Sequence, residues 1–295
     1  MYDIIESQIR KKEFTDFDQF SDTCLQKNKA NSLSATLDLG LRATSIGQSF
    51  AIGYRCALQT LWPKLKQDEW AALCVSEALG NHPRQIKTTV NEQGLLLGHK
   101  SFVSMAEQAK QLIVIAKIGE EEGLPQLKAV LISQGLDEIE TKVMPNIGML
   151  PDISHGSIEL NNAKGVILPG DGHTDFSRKF RYLEDIHLLM AFTSLILSKS
   201  IRCQLKPEIT EKCLMLISAM LSQKLQASYF QHLHLSALFN EFENIVESFE
   251  AGIQSQQGEF YKEWKRDKKI FSIASKARIA RTEKARVELK ERLIC

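Results

Sequence analysis

The sequence lacks any long hydrophobic run. Its longest apolar stretch, IHLLMAFTSLIL from Ile186 to Leu197, is too short to span a bilayer and reads as a buried core helix. It also lacks an excess of either charge. With 37 basic and 36 acidic residues the net charge is +1, so no global field recruits nucleic acid or an anionic membrane. The six cysteines (24, 56, 74, 203, 213 and 295) include no CxxC pair. No secretory leader precedes them, and the expectation is free thiols in a reducing cytoplasm. His232 and His234 lie two apart on a predicted helix, which turns them to different faces and leaves no ready metal pair. What is present is enough to fold: 295 residues, 43% apolar and 25% charged, bury a substantial core in one or two domains.

The texture changes twice along the chain. Residues 1–70 read as helical, with amphipathic spacing in SLSATLDLGLRATSIGQSFAIGYRCALQTLW and few strand signals. From Ala71 short β-rich runs follow one another: AALCVS, GLLLG, QLIVIAKI, LKAVLIS and SIEL, separated by Gly, Asn and Pro. With no long helices between them, they predict an antiparallel barrel or sandwich instead of a βαβ sheet. Helix returns from Leu183 to Arg202, where QLKP supplies a terminating proline. A long helical stretch is expected from Ile209 to Gln254, and a last one from Trp264 to the C-terminus. The basic tail KARIARTEKARVELKER carries Glu283, Glu288 and Glu291 between its cations, the mark of a solvated helix face. The expected fold class is α+β, divided as a shortened N-terminal helical domain (1–70), a central antiparallel β-barrel domain (71–180) and a C-terminal helical bundle (181–295).

Three blocks stand in register within that frame: LWPKLKQDEWAALCVSEALGNHPRQIKT, GLLLGHKSFVSMAEQAKQLIVIAK and NIGMLPDISHGSIELNNAKGVILPG. In order and spacing this arrangement resembles the middle of the acyl-CoA dehydrogenase flavoproteins, most clearly from Thr44 to Arg202. It continues to RDKKIFSI, Arg266 to Ile273. The resemblance implies FAD, the same three-part plan, and association as a homodimer or homotetramer through the C-terminal bundle. It also implies an acyl thioester as substrate. In that family a Glu removes the α-proton while a β-hydride passes to the flavin, and hydrogen bonds to the thioester carbonyl acidify the α-proton.

Carried over residue by residue, the resemblance assigns a flavin-ring platform to Val75 and Ser76 at one strand end and to Phe102 and Ser104 in the next block. Phe102 and Ser104 stand where the family has Trp and Thr, and Ser76 keeps a hydroxyl able to donate and accept. The loop after Glu77 is one residue shorter than the family's and places Gly80 and Asn81 beside the substrate. Gln254 matches a position near the adenine end of FAD, within GIQSQQGEFYKEW, which keeps only Gly258 of the later glycines. The arginine motif of the family falls on Arg202-Cys203-Gln204-Leu205-Lys206, which lacks its Phe-Gly.

The family's usual catalytic Glu falls on Ser275 here. A serine hydroxyl is neutral at pH 7 and abstracts no α-proton without a partner base. Some branches of the family supply the Glu from the start of the first C-terminal helix, and that position is Glu184. Its neighbour Asp185 replaces a substrate-holding Arg. Carboxylates at a helix start also serve the helix dipole alone. Two functions are therefore expected: an FAD-dependent acyl-CoA dehydrogenase-type oxidoreductase with Glu184 as base, or a catalytically degenerate relative acting as a binding or partner subunit.

Overall fold

The structure is a computed structural model that describes residues 1–26, 32–145, 147–254 and 258–294. Among the described residues four helices come first: α1 (Tyr2–Ile9), α2 (Phe17–Gln26), α3 (Ser32–Gly40) and α4 (Ile46–Leu61). Eight strands follow among the described residues: β1 (Trp70–Cys74), β2 (Thr89–Val90), β3 (Leu95–Ser104), β4 (Ala109–Glu121), β5 (Leu124–Ser133), β6 (Ile139–Val143), β7 (His155–Lys164) and β8 (Val166–Ile167). A π-helical turn, Gly172–Arg178, leads into α5 (Lys179–Arg202), then α6 (Pro207–Leu221), α7 (Tyr229–Gln254), α8 (Glu259–Asp267), α9 (Ile270–Ile273) and α10 (Ser275–Ile294).

By their contacts the residues gather into two compact units. One is helical and draws on both ends of the chain, Met1–Ala57 and Tyr182–Cys295, with Gly148–Leu150. The other, Leu58–Ile147 with Pro151–Arg181, holds the sheet.

The sheet runs β6-β7-β3-β2-β4-β5-β8, with β1 paired to β4 off that path. It is curled but open, a half-barrel. Most neighbours are antiparallel as expected, but β1 and β2 each pair in parallel with β4. β4 earns its central place by composition: Leu112 to Ala116 are all fully buried, the continuous apolar run of a strand covered on both faces. The short β2 and β8 and the polar β6 carry too few apolar residues to stand out as strands in the sequence.

In the helical unit α5 is the centre. Its Ile186–Leu197 run is apolar almost all round and is almost wholly buried, as a core helix must be. The polar residues within it satisfy themselves locally: Thr193 Oγ1 donates to the Leu189 carbonyl and Ser194 Oγ to that of Met190, both at 2.7 Å. No helix among the described residues is long and apolar enough to cross a membrane.

Several helix ends differ from their expected places. α5 begins at Lys179, four residues before Leu183, because the π-helical turn capped by Asp171 runs straight into it. Pro207 does not terminate α5 but occupies the first turn of α6, where its missing N–H costs nothing. The turn after α5 is made instead by Gln204 in the left-handed region, φ 51°. The expected 209–254 helix is two, broken after Leu221, and the last is three short-to-long pieces. At that joint Asp267 is buried and fully used. Its carboxylate accepts from the Leu150 amide at 2.7 Å and from Arg266 through two bonds of 2.8 Å. Trp264 and Phe271, 5.6 Å apart, pack with Phe242, Phe249 and Phe192 into an aromatic cluster.

His187 ties α3 to α5. Its Nδ1–H donates to the Leu183 carbonyl at 2.7 Å, and Nε2 accepts from Ser32 Oγ at 2.9 Å. Burial pushes its pKa down to about 4, and the Leu183 bond offsets only part of that. The folded protein therefore holds this imidazole neutral while the unfolded chain protonates near 6.5. Stability should fall as pH drops from about 6.5 to about 4, by roughly 3 kcal/mol from this group. Thermal melts across that range, with His187→Gln as comparison, check it; an equal slope in both proteins would refute it.

The described cysteines (24, 56, 74, 203 and 213) form no disulfide, and Cys295 lies outside the described residues.

Candidate functional site

In the sheet unit, β1 ends at Cys74 and is followed by Val75 and Ser76, both half-buried. Glu77 and Gly80 exchange two backbone hydrogen bonds of 2.9 Å, closing a tight loop with Ala78 and Leu79 at its tip. Gly80 sits at φ 120°, a conformation that side chains resist, and a Cβ there would lie 2.8 Å from Gln85 Oε1. Asn81 follows, exposed. The next residues are fixed by His82, whose ring accepts from the Arg84 amide while Gln85 reaches back to the His82 amide.

Strand alternation would turn Leu96, Gly98, Lys100 and Phe102 to one face. Leu96 and Lys100 do lie on the buried face, each 0% exposed. A bulge between Lys100 and Val103 then breaks the alternation. Val103 takes the buried place, and Phe102 turns out with 67% of its surface exposed. Phe102 carries φ 56°, a left-handed backbone that costs an aromatic residue about 1–2 kcal/mol. Such a residue persists only where its surroundings hold it. The Ser101 amide does so by donating to the Ser76 carbonyl at 2.8 Å, which brings the end of β1 against the bulge. Ser104, half-buried, stands across from His155 of β7. Burial holds the His155 imidazole below its ordinary pKa.

Beneath the bulge lies a charged pair that the reading of the sequence passed over. Lys100 Nζ, fully buried, donates to Glu77 Oε1 at 2.7 Å and to the Val75 carbonyl at 3.2 Å. Glu77 also accepts from the Lys87 amide at 2.7 Å, the Thr88 amide at 3.1 Å and Thr88 Oγ1 at 2.8 Å. Burial pulls both groups toward their neutral forms. For Glu77 the Lys100 ammonium and the two amides overcome it, and its carboxyl is held below the usual range. Burial leaves Lys100 below its ordinary value, with Glu77 opposing. The signal was in the alternation of β3, which puts a lysine on the buried face and so demands a carboxylate.

In the helical unit, Glu184 is the sixth residue of α5 and half-buried. The helix-dipole account of this carboxylate weakens there, because that field fades within the first turn. Asp185 is buried and ion-paired to α10. Arg281 Nη2 bonds its Oδ2, and Arg278 Nη1 lies 3.6 Å from Oδ1. Burial raises the Asp185 carboxyl above its usual value, and the two guanidinium groups pull it partway back. Ser275 opens α10 and lines a cavity of about 260 Å³ between α7 and α10, with Phe239, Asn240, Glu243, Arg278 and Arg281. Arg278 lies over the Phe239 ring, 4.0 Å from its centre. Gln254 is exposed at the C-terminal end of α7. Residues 255–257 of the glutamine-rich segment that follows lie outside the described residues.

No protein-family model and no curated protein matches this sequence. Solved structures match it over nearly its whole length. An FAD-dependent dehydrogenase is 15% identical with TM-score 0.69, over 98% of this chain and 95% of that one. PigA with FAD and proline is 13% identical with TM-score 0.68, over 99% and 97%. Butyryl-CoA dehydrogenase from Megasphaera elsdenii is 12% identical with TM-score 0.62, over 96% and 92%. The fold is acyl-CoA dehydrogenase-like.

Proposed function

We propose that this protein is an FAD-dependent oxidoreductase of the acyl-CoA dehydrogenase type, acting on an acyl thioester. The observation that carries the reading is the bulge in β3, which holds Phe102 in a costly backbone conformation and presents its ring outward. Backbone strain of this kind gathers at ligand-binding positions, and a planar ligand would account for holding an aromatic ring there. The donor set suits a flavin ring: an aromatic face at Phe102, hydroxyls at Ser104 and Ser76, and backbone groups at Val75 and Ser76. Solved relatives in fold include proteins described with FAD. Gln254 is the group offered to the adenine end.

Bound there, FAD would supply the acceptor for a substrate hydride. The chain's own residues do the rest. Phe102 would pack on the ring, and Ser104 and Ser76 would offer it hydrogen bonds. Gly80 and Asn81 form the loop on the substrate side. Glu184, at the position from which some branches of the resembled family supply the base, would take the α-proton, since Ser275 at the usual position has no charge to do so. Assembly as a homodimer or homotetramer is part of the same reading, supported by apolar Ile279, Val287 and Leu293 exposed along α10.

A second reading, a catalytically degenerate binding or partner subunit, is favoured by Ser275 at the head of α10 in place of a carboxylate. Visible absorption separates the two. Purified protein, incubated with FAD and desalted, is expected to keep the flavin's yellow bands, and an acyl-CoA panel should bleach them. A colourless protein at saturating FAD would dispose of the flavin reading. A yellow protein that no acyl-CoA bleaches would leave the second reading standing.

A further inference from the structure

We propose that the buried Glu77–Lys100 pair is a positioning device for the flavin-ring platform, setting how tightly and in what environment the ring is held. The inference rests on the flavin reading above and adds residues to it. Three segments meet at this pair. Glu77 opens the loop three residues after β1, its acceptor bonds reach Lys87 and Thr88 just ahead of β2, and Lys100 belongs to β3 immediately before the bulge. The Lys100 ammonium also grips the Val75 carbonyl at 3.2 Å. One residue on, the Ser101 amide grips the Ser76 carbonyl at 2.8 Å. Both strand-end residues assigned to the ring are thus bonded to the two residues preceding Phe102. Gly98 completes the arrangement: a Cβ there would come within 2.7 Å of Thr88 Cα, so its absence lets Thr88 approach Glu77.

A merely structural role does not account for the pair. Two charges taken out of water rarely stabilise a fold better than apolar side chains of the same volume. What a charged pair adds is a fixed, directional geometry. Here that geometry holds a left-handed Phe102, which otherwise relaxes toward ordinary strand backbone and turns its ring inward. Neither side chain is assigned to touch the ring: Lys100 is fully buried and Glu77 nearly so, and both act through Val75, Ser76 and Phe102.

The test is FAD titration of the full-length protein, followed by visible absorption, for wild type and the double variant Glu77→Leu/Lys100→Met. The double variant leaves no unpaired buried charge, so it should fold, as circular dichroism and melting will report. The expected result is a rise of about tenfold or more in the FAD dissociation constant, with displaced flavin absorption bands and an unchanged fold. Wild-type affinity and an unshifted spectrum in the folded double variant would overturn the inference while leaving the flavin reading intact. A wild-type protein that binds no FAD would sink that reading instead, and this inference with it. Glu77→Gln, which keeps an oxygen for Lys100 and Thr88, serves if the double variant does not fold. It has the same two outcomes: weakened binding with shifted bands supports the role, and wild-type behaviour removes it.

Discussion

Glu184→Gln is expected to retain FAD and the fold while slowing acyl-CoA-driven bleaching of the flavin absorption by about 10³-fold. That loss is what removing a positioned general base costs, within a usual range of roughly 10²–10⁴. Glutamine keeps the size and hydrogen-bonding reach of the side chain and removes only its ability to take a proton. Glu184 carries this expectation because it stands where some branches of the resembled family place the base. Ser275 has no charge, and Asp185, its neighbour on α5, is bonded to Arg278 and Arg281. Stopped-flow absorption after mixing with acyl-CoA measures the effect. Bleaching at the wild-type rate would take Glu184 out of the mechanism. Loss of the yellow bands in the variant would give it a part in holding FAD.

Asp185→Ala should lower the melting temperature by about 3–5 °C, the equivalent of roughly 2–3 kcal/mol in a chain of this size. Breaking a buried ion pair from one side typically costs about 3–5 kcal/mol, because the partner charge stays behind unpaired. The lower figure applies because Arg278 and Arg281 keep 15% and 22% of their side chains exposed and can turn toward water. Arg278 also retains its bond to the Phe271 carbonyl at 2.7 Å and its place over Phe239. A variant that melts with wild type would show the pair to be neutral. A variant that keeps its melting point but loses acyl-CoA binding would restore Asp185 to the substrate role its position in the sequence suggests.

The order helix, β block, helix was legible because it rests on local patterning. Runs such as QLIVIAKI and LKAVLIS are the apolar, β-branched segments that buried strands require, and both fall inside β4 and β5. The run from Ile186 to Leu197 is too apolar for a surface helix, and it forms the buried middle of α5. β2 and β8 escaped notice because two residues carry no period. Pro207 was misplaced because a proline marks a helix boundary without saying on which side the helix lies. The openness of the sheet depends on which strands find partners, and strand pairing joins residues far apart in the chain.

The same division holds for the candidate site. Its residue types were there to read: Ser76, Phe102 and Ser104 on the sheet, and Glu184 with Asp185 on a helix. Alternation in β3 also carried an unread message, since it places Lys100 on the buried face where only a charged partner makes it tolerable. What the sequence determined by itself is therefore the class of fold, its apolar core and the set of groups from which a site can be built, because these follow from periodicity and side-chain chemistry. The tertiary structure alone decided that Phe102 turns outward, that Glu77 is the partner of Lys100 and that Asp185 is taken up by α10. A bulge and two ion pairs depend on the meeting of residues 23 apart for Glu77 and Lys100 and 96 apart for Asp185 and Arg281, and no local pattern encodes such a meeting.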